Sequence, residues 1–395
     1  MTRILFCWER GAGLGHLSSL RPFIERAVAD GHEVSLAAKD LRHVPRVLGE
    51  TPVRLLQAPV GVAPKRTDDR VIHSVGMLLG SFYGNDGTYL RSLCRAWGGL
   101  FDLVRPELVI YDHSPTALIE SLGQSWQKWV IGSGFLIPRT DEIPFGRFPQ
   151  KPGVAASPDT ELFTSDEPVV DVINDYLESA GRTQIDELGD VWRQADRNWL
   201  LTLPELDHFG DRPDAMYFGI PPGDFAAKMG WPDRPGPKVV GYLSECAALR
   251  PVLEHLDGLP VNGVFYTRDL SAEEIARYPN LLIATEPLDL TALLSEADLM
   301  INMGSHKTVA EAYLAGVPQL LIVRHQEQLL LFWRVVSLKA GVGLNASATD
   351  VTKPLYAALG LMKKGVSPVP GEYAREMSGA RLMREIDAAF SAMKP

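Results

Sequence analysis

Short apolar runs alternate with helical stripes along the chain. The first run, Ile4 to Trp8, is short and continuous, as a buried parallel strand requires. After a glycine-rich turn, apolar residues recur at three- and four-residue steps from His16 to Asp30, which predicts a helix ended by Gly31. Glu33 to Ala38 is then a second strand. Strand, helix and strand form a βαβ unit, so the pattern favours an α/β fold with a parallel sheet.

The alternation continues through the first 220 residues. We predict strands at Leu108–Tyr111, Trp129–Ile131 and Trp199–Leu203, and helices from Asp112 through Leu122 and near Val169–Ala195. Residues from about Pro138 to Pro168 are rich in Pro, Gly, Ser and Asp, which is typical of a long loop.

A segment rich in proline and glycine, Gly219–Pro237, has the composition of an interdomain linker. After it the alternation begins again. We predict strands at Lys238–Leu243, Val261–Tyr266, Leu281–Ala284, Leu299–Asn302 and Gln319–Val323, and helices at Ala247–Leu256, Leu290–Glu296 and Lys307–Ala315. The pattern therefore indicates two successive α/β domains joined by a linker.

Composition and charge limit the number of domains and the classes of partner that we expect. The 395 residues suffice for roughly two to three domains. With 46% hydrophobic and 22% charged residues, the chain is typical of globular proteins. A net charge of -10 leaves no basic excess to neutralise phosphates, so we expect no nucleic-acid partner. Contact of a local basic patch with an anionic membrane stays open.

The three cysteines, Cys7, Cys94 and Cys246, are widely spaced, which suits a reducing compartment and offers no metal-ligand spacing. The sequence turns polar by Glu9, too early for the core of a signal peptide. No apolar stretch approaches the ~20 residues of a membrane span. We therefore expect a cytoplasmic protein without a metal site or a transmembrane segment.

The turn after the first strand carries the first candidate chemistry. A dinucleotide fingerprint needs a third glycine where this chain has His16, and Asp40 falls beyond the second strand, so a nicotinamide or flavin site is disfavoured. Gly13 and Gly15 instead form a loop that allows close approach to a helix N-terminus. His16 titrates near neutrality and suits a general base, although it can equally pack or hydrogen-bond locally.

Asp112 lies at the carboxyl end of a predicted strand, where open α/β sheets place ligand-handling groups. Its carboxylate can orient His16 and stabilise the imidazolium, or it can cap the helix that begins near Pro115.

A second candidate site follows strand Leu299–Asn302. The turn Gly304-Ser305-His306-Lys307-Thr308 opens a helix that carries Glu311. Glycine and hydroxyl residues at a helix N-terminus suit a pyrophosphate, but an ordinary capped helix explains them as well. Glu327 and Gln328 offer groups that can hold sugar hydroxyls, or they are exposed loop residues.

Together these segments resemble the sugar-nucleotide glycosyltransferases of GT-B fold, in particular the family 1 UDP-glycosyltransferases. They are also similar to the bacterial N-acetylglucosaminyltransferase that makes the peptidoglycan lipid precursor. Gly15-His16-Leu17-Ser18-Ser19-Leu20 resembles the family's Gly-His-x-x-Pro-Leu segment, whose histidine is the acceptor base, and Asp112 matches the aspartate that orients it. The family's donor signature fits residues 287–328 without a gap, matching at Pro287, Gly304, Glu311, Gly316, Val317, Pro318 and Gln328.

The resemblance implies two Rossmann-like domains facing a central cleft. Residues 1–220 bind the acceptor, 221–237 are the linker, 238–370 bind the nucleotide sugar, and helices in 371–395 cross back to the N-terminal domain. By the same resemblance, Gly304, Ser305 and Thr308 contact the donor phosphates, Glu311 holds the ribose, and Glu327 with Gln328 holds the sugar. The implied donor is a UDP- or dTDP-linked sugar, and no cofactor or metal is required.

Several positions depart from the family pattern. Met303 replaces the phosphate-binding histidine and cannot donate a hydrogen bond, while His306 or Lys307 can compensate. Thr285 and Leu288 replace a base-stacking tryptophan and a glutamine of plant members, which leaves the nucleobase open. The Pro287-Leu288-Asp289 stretch looks more like bacterial antibiotic or glycolipid glycosyltransferases.

The resemblance thus implies a glycosyltransferase that inverts the anomeric centre. A sugar-nucleotide epimerase or hydrolase on the same fold, and a degenerate partner that activates another transferase, stay open as alternatives. The acceptor pocket is expected from residues 60–100 and 138–168, which hold aromatic residues that can equally form core. These residues are Phe82, Tyr83, Trp97, Phe145 and Phe148.

Overall fold

The computed structural model describes residues 1–11, 13–61, 72–83, 87–141, 145–149, 159–210, 212, 214–223, 229–363, 366 and 369–393, and of 159–165 the backbone alone. Contacts divide the chain into two compact units. The N-terminal unit comprises Met1–Leu201, Asp211–Tyr217 and Met383–Pro395, and the C-terminal unit comprises Thr202–Gly210 and Phe218–Leu382.

The N-terminal unit is built on a six-stranded parallel sheet. Its strands are β1 (Arg3–Trp8), β2 (Glu33–Ala38), β3 (Arg54–Gln57), β4 (Leu108–Asp112), β5 (Gln127–Gly132) and β6 (Arg197–Leu200). Their order in the sheet is β3-β2-β1-β4-β5-β6. Chain order therefore reverses between β1 and β4, and α/β sheets bind ligands beyond the strand ends at such a switch point. Trp8 at the end of β1 is in register with Asp112 at the end of β4.

Helices flank this sheet. They are α1 (Gly15–Ala29), α2 (Val44–Leu48), α3 (Val75–Tyr83), α4 (Thr88–Val104), α5 (Pro115–Glu120), α6 (Asp159–Ser179) and α7 (Asp190–Arg193), with a short 3-10 helix at Leu41–His43. The stripe that predicts α1 is its buried face, which includes Leu17, Leu20 and Ile24. The sheet interior is apolar as well, since Leu5 and Ile110 are fully buried.

Two expectations for this half are wrong in detail. The loop expected at 138–168 ends earlier, because α6 begins at Asp159; residues 142–144 and 150–158 lie outside the described part. The single helix expected near Val169–Ala195 is two helices, α6 and α7, separated by turns. Asp40 lies beyond β2, as predicted, and accepts a hydrogen bond from the Arg42 backbone N–H at the start of the 3-10 helix.

The C-terminal unit repeats the same architecture. Its strands are β7 (Lys238–Tyr242), β8 (Asn262–Tyr266), β9 (Leu281–Ala284), β10 (Leu299–Asn302), β11 (Gln319–Val323) and β12 (Gly341–Asn345). The order β12-β11-β10-β7-β8-β9 places the switch point between β10 and β7. All pairings are parallel, and Asn302 is in register with Tyr242 at that point. The two six-stranded sheets confirm the predicted pair of Rossmann-like α/β folds.

The helices of this unit connect its strands or follow the last strand. They are α8 (Leu249–Asp257), α9 (Ala272–Ile275), α10 (Leu290–Leu294), α11 (His306–Leu314), α12 (Gln326–Ser337), α13 (Thr352–Met362) and α14 (Gly371–Arg375). A π-helical turn, Glu376–Ala380, follows and leads into α15 (Arg381–Ala392). Within α15, residues up to Leu382 belong to the C-terminal unit and those from Met383 to the N-terminal unit. No helix in the described ranges is long and apolar enough to cross a membrane.

Candidate active site

The structure brings His16 and Asp112 together, as the sequence predicts. His16 is the second residue of α1, and Asp112 ends β4, so both lie at the switch point of the N-terminal sheet. His16 Nδ1 lies 3.0 Å from Asp112 Oδ1. The Asp112 side chain is 1% exposed and that of His16 is 16% exposed. A buried carboxylate at Nδ1 keeps the proton there and leaves the lone pair on Nε2, as a general base requires.

The imidazole of His16 is held between two aromatic rings. Its centroid lies 5.3 Å from that of Trp8 and 5.7 Å from that of His113, and both pairs are stacked. Trp8 comes from β1 and His113 follows β4, so the sandwich closes across the switch point. Together with the Asp112 contact, it fixes the ring in one orientation.

His113 is a site residue that the sequence analysis missed. Its φ of +45° lies in the left-handed region, which is uncommon for a residue other than glycine. Burial lowers the pKa of this histidine well below its usual value, and the nearby His16, Arg10 and Lys39 lower it further. His113 therefore stays neutral at pH 7. The signal for it was its position directly after Asp112.

The glycine turn shapes the access to Nε2. Gly11 has a φ of +90°, and a Cβ at this position would lie 2.0 Å from His16 Nε2. A side chain larger than a hydrogen atom at position 11 would therefore clash with the basic nitrogen. Gly13 also has a left-handed φ, +81°, while Gly15 begins α1, and a Cβ on either would meet open space.

The alternative role for Asp112, capping α5, is taken by another residue. Ser114 is the N-cap of α5 and makes no side-chain cap bond. Glu9 Oε2 instead accepts the Thr116 backbone N–H at 3.0 Å, and Glu9 Oε1 accepts the Thr116 hydroxyl at 2.5 Å. Glu9 is buried, and desolvation raises its pKa. In the sequence Glu9 marks only the polar end of an apolar run, so this cap was not predicted.

A narrow apolar pocket opens beside His113 in the N-terminal unit. Its wall comes from α3, α5, the segment after β5 and α7. The lining residues are Arg10, Val75, Leu78, Leu79, Phe82, Tyr111, His113, Ser114, Pro115, Leu118, Val130, Phe135, Leu136, Pro138 and Trp192. Phe82 and Pro138 lie in the regions predicted to shape an acceptor pocket. Tyr83, Trp97, Phe145 and Phe148 are instead buried, in line with the core alternative.

In the C-terminal unit, β10 leads through Gly304 into α11 at the switch point. Gly304 has a φ of +71°, and its backbone N–H donates to Asn302 Oδ1 at 2.8 Å. Asn302 is fully buried, and its Nδ2 donates to Gln319 Oε1 at 2.9 Å. Gln319 Nε2 in turn donates to the Val309 carbonyl at 3.0 Å. This buried amide network fixes the turn, and it occupies the Gly304 N–H.

The first turn of α11 presents the remaining amides. The first N–H groups of a helix have no partner within the helix, and its dipole favours an anion at that end. Ser305 is the N-cap, and its hydroxyl donates to Thr308 Oγ1 at 2.9 Å. Ser305 and Thr308 thus lie together at the helix N-terminus, as their predicted role with phosphate requires.

His306 and Lys307 differ in what they can offer a ligand. His306 Nε2 lies 2.7 Å from Thr202 Oγ1, and its ring lies 5.6 Å from that of His208. Burial lowers the pKa of His306 to about 4, so it is neutral and already bonded through Nε2. Lys307 Nζ lies 3.8 Å from Glu311 Oε1, one helical turn along α11. Of these two residues, Lys307 supplies the positive charge of the turn.

Glu311 lines a groove of about 610 Å³ in the C-terminal unit. Burial raises its pKa, Lys307 opposes this rise and Asp289 adds to it. The groove is lined by Ile220, Pro221, Pro222, Gly223, Asp289, Thr291, Leu294, Glu311, Leu314, Ala315, Ala374 and Ser378. Residues 221–223, expected to belong to the linker, thus form one wall of the space beside Glu311. That wall was not anticipated from the sequence.

Glu327 and Gln328 lie in the first turn of α12, not in a loop. Gln328 Oε1 accepts the Arg324 backbone N–H at 2.7 Å and thereby closes the helix N-terminus. A Cβ on Gly304 would lie 3.2 Å from Gln328 Cβ, so the N-termini of α11 and α12 meet at the switch point. Met303, between them and the sheet, packs against the apolar core.

The described residues contain no group of three or more His, Cys, Asp or Glu placed to hold a metal ion. The N-terminal site consists of the histidine base and its carboxylate. The C-terminal site consists of helix N-termini, carboxylates and amides.

Comparisons with known proteins bear on the fold. No protein-family model matches the chain, and no curated protein matches it in sequence. Solved structures do match it. A glycotransferase of kitacinnamycin is 19% identical with a TM-score of 0.66, covering 99% of this chain and 98% of its own. The calicheamicin glycosyltransferase CalG4 is 17% identical with a TM-score of 0.64, covering 100% of this chain and 99% of its own.

The spinosyn rhamnosyltransferase SpnG, in complex with thymidine diphosphate, is 16% identical with a TM-score of 0.59, covering 98% of this chain and 96% of its own. At these identities the likeness is one of fold. Two six-stranded parallel sheets of Rossmann order and these matches over nearly the whole chain lead to one conclusion: the protein has the GT-B fold of glycosyltransferases.

Proposed function

We propose that this protein transfers a sugar from a nucleoside diphosphate sugar to the hydroxyl group of an acceptor, with inversion at the anomeric carbon. The observation that carries the proposal is the His16–Asp112 pair, with Nδ1 3.0 Å from Oδ1 at the switch point of the N-terminal sheet. A histidine held in one tautomer by a buried carboxylate is the arrangement that a base for hydroxyl groups needs. His16 stacks on His113, which lines the apolar pocket.

In the proposed reaction His16 Nε2 takes the proton of the acceptor hydroxyl. The oxygen attacks the anomeric carbon, and the bond from that carbon to the β-phosphate oxygen breaks. The sugar leaves on the acceptor, and the nucleoside diphosphate departs with the bonding electron pair. Asp112 stabilises the imidazolium that forms.

The C-terminal unit supplies the donor half of the reaction. The N-terminus of α11, with Ser305 and Thr308, stabilises the negative charge of the departing diphosphate. Lys307 adds a positive charge near the same turn. We infer that these groups serve without a metal ion, and that no separate cofactor is required.

Glu311 and the groove beside it suit a nucleoside. A carboxylate 17% exposed can accept hydrogen bonds from two ribose hydroxyls, and the groove offers Pro221, Pro222 and Leu294 as apolar walls. Gln328 lies next to Gly304, and Glu327 precedes it in the first turn of α12. We propose that these two residues hold the sugar. Thymidine diphosphate in the spinosyn rhamnosyltransferase supports dTDP beside UDP as the nucleotide to test first.

Incubation of the protein with dTDP- and UDP-linked hexoses and a panel of phenols tests the proposal. Mass spectrometry should detect an acceptor that has gained a hexose. His16→Ala should abolish this product while leaving the affinity for the nucleoside diphosphate unchanged. Normal turnover by His16→Ala would refute the assignment of the base. Free sugar as the sole product would favour a hydrolase, and an isomerised donor would favour an epimerase.

A further inference from the structure

Arg10 is the one side chain with a permanent charge among the described residues that line the apolar pocket of the N-terminal unit. It follows β1 and Glu9, directly before Gly11. Neither the proposed base nor the proposed donor site uses it. Removing a guanidinium from water into an apolar wall costs free energy unless a partner compensates its charge. A ligand that binds Arg10 can be this partner.

The guanidinium is stacked but has no acceptor. Its central carbon lies 3.5 Å from the centroid of the Phe82 ring, so one face of the group is covered. In the part of the chain that the structure describes, none of the guanidinium N–H groups donates to an acceptor and no carboxylate lies within ion-pair distance. Burial raises the pKa of Glu9, and the charge of Arg10 opposes this rise from further away. The adjacent acid, Glu9, is committed to the backbone of α5 through Thr116 and Ala117. The donor edge of Arg10 is therefore left for a ligand.

The backbone of Arg10 is fixed on both sides. Its N–H donates to the His113 carbonyl at 3.1 Å, and its carbonyl accepts the indole N–H of Trp8 at 2.6 Å. Trp8 and His113 are the two rings that sandwich His16. The base and the guanidinium are thus positioned by the same pair of residues, and no reorganisation of the backbone is needed for Arg10 to bind a ligand.

We propose that this pocket selects acceptors with an apolar body and an anionic oxygen group, which Arg10 binds. The inference rests on the proposed function and names its acceptor class. Val75, Leu79 and Phe135 form the walls for the apolar body. Arg10 offers a planar fork of donors, the group that pairs best with a carboxylate. If Arg10 only packed on Phe82, the pocket would not distinguish a charged acceptor from its neutral counterpart.

Two probes of matched shape separate these cases: 6-hydroxy-2-naphthoate, which is anionic, and 6-hydroxy-2-naphthamide, which is neutral. Calorimetry measures their binding to the full chain at pH 7.5 without any sugar nucleotide. The variants are Arg10→Gln, which removes the charge, and Phe82→Ala, which keeps it. Arg54→Gln is the control, because Arg54 is an exposed residue of β3 outside the pocket. Circular dichroism and thermal melting verify that each variant folds.

We expect the wild type and Arg54→Gln to bind the carboxylate at least tenfold more tightly than the amide. Arg10→Gln should reduce this preference to less than threefold, and Phe82→Ala should weaken both probes while preserving the preference. Equal affinities in the wild type, an unchanged preference in Arg10→Gln, or no binding of either probe would overturn the inference. These binding measurements use no donor, so they do not depend on sugar transfer. A preference for the carboxylate here, together with no transfer in the incubation with dTDP- and UDP-linked hexoses, would refute the proposed function and leave the anionic site standing.

Discussion

Oδ1 of Asp112 lies 3.0 Å from Nδ1 of His16, while Oδ2 of Asp112 is buried without a donor among the described residues. A buried carboxylate oxygen without a partner is rare in folded proteins. In this protein it leaves the negative charge of Asp112 directed mainly at one histidine. The pair joins β4 to α1, and it is the contact on which the proposed base depends.

Asp112→Asn should therefore remove activity without removing the fold. An amide can donate to Nδ1 and favour the tautomer with its proton on Nε2, which cannot act as a base. A loss of kcat of about 10²- to 10⁴-fold is expected from comparable triads. Steady-state kinetics gives kcat, and calorimetry with the nucleotide should show an unchanged Kd. Asp102→Asn, at an exposed position of α4, is the control. A kcat within threefold of the wild type would show that Asp112 does not orient the base.

Gly11→Ala should act on Nε2 directly. The new methyl group would lie 2.0 Å from that nitrogen, and alanine at a φ of +90° is strained. We expect turnover to fall at least a hundredfold, and the free energy of unfolding to fall by about 1–2 kcal/mol.

Gly99→Ala is the matched control. Gly99 is exposed in α4, and a Cβ there meets no atom within 4 Å. It should keep full activity and gain about 0.5–1 kcal/mol of stability, since alanine favours the helix. Equal activity of Gly11→Ala and Gly99→Ala would mean that the turn does not limit access to His16.

The pKa of His306, lowered to about 4 by burial, makes stability depend on pH. Between pH 6.5 and pH 4 the unfolded chain binds a proton at this histidine and the folded chain does not. The free energy of unfolding therefore falls as the pH falls through this window, by on the order of 3 kcal/mol in total.

Urea denaturation of wild type and His306→Asn at pH 7 and pH 5 tests this dependence. Other titrating groups act on both proteins, so they cancel in the comparison. We expect the wild type to lose about 2 kcal/mol more than the variant between these two pH values. Parallel losses would show that His306 is protonated as readily in the folded state as in the unfolded one.

The sequence was most informative where local pattern and tertiary structure agree. The strands at Leu281–Ala284, Leu299–Asn302 and Gln319–Val323 are confirmed residue for residue. The last two are buried parallel strands, and Leu281–Ala284 is a short apolar run at the sheet edge. The contact between His16 and Asp112 was expected for a similar reason. Both residues follow strands that a doubly wound sheet brings side by side.

The omissions have physical causes as well. Strand β3, Arg54–Gln57, is a short edge strand with an exposed surface, so it lacks the apolar run that predicts a strand. Helix α6 begins in a segment whose prolines and aspartates favour a loop locally, and its packing on α3 decides otherwise. Glu9 contacts α5 and Arg10 contacts Phe82, and both partners are distant in sequence. A local sequence pattern therefore cannot predict the roles of Glu9 and Arg10.

Binding of nucleoside diphosphates tests the central claim most directly. Thermal shift with UDP, dTDP, GDP, ADP and NAD is measured on the wild type and on Glu311→Gln. We predict that UDP or dTDP stabilises the wild type by about 2.7 kcal/mol at a hundred times its Kd, and that Glu311→Gln loses most of this shift. A wild type that no nucleoside diphosphate stabilises, or one that NAD alone stabilises, would contradict a sugar-nucleotide site in the C-terminal unit.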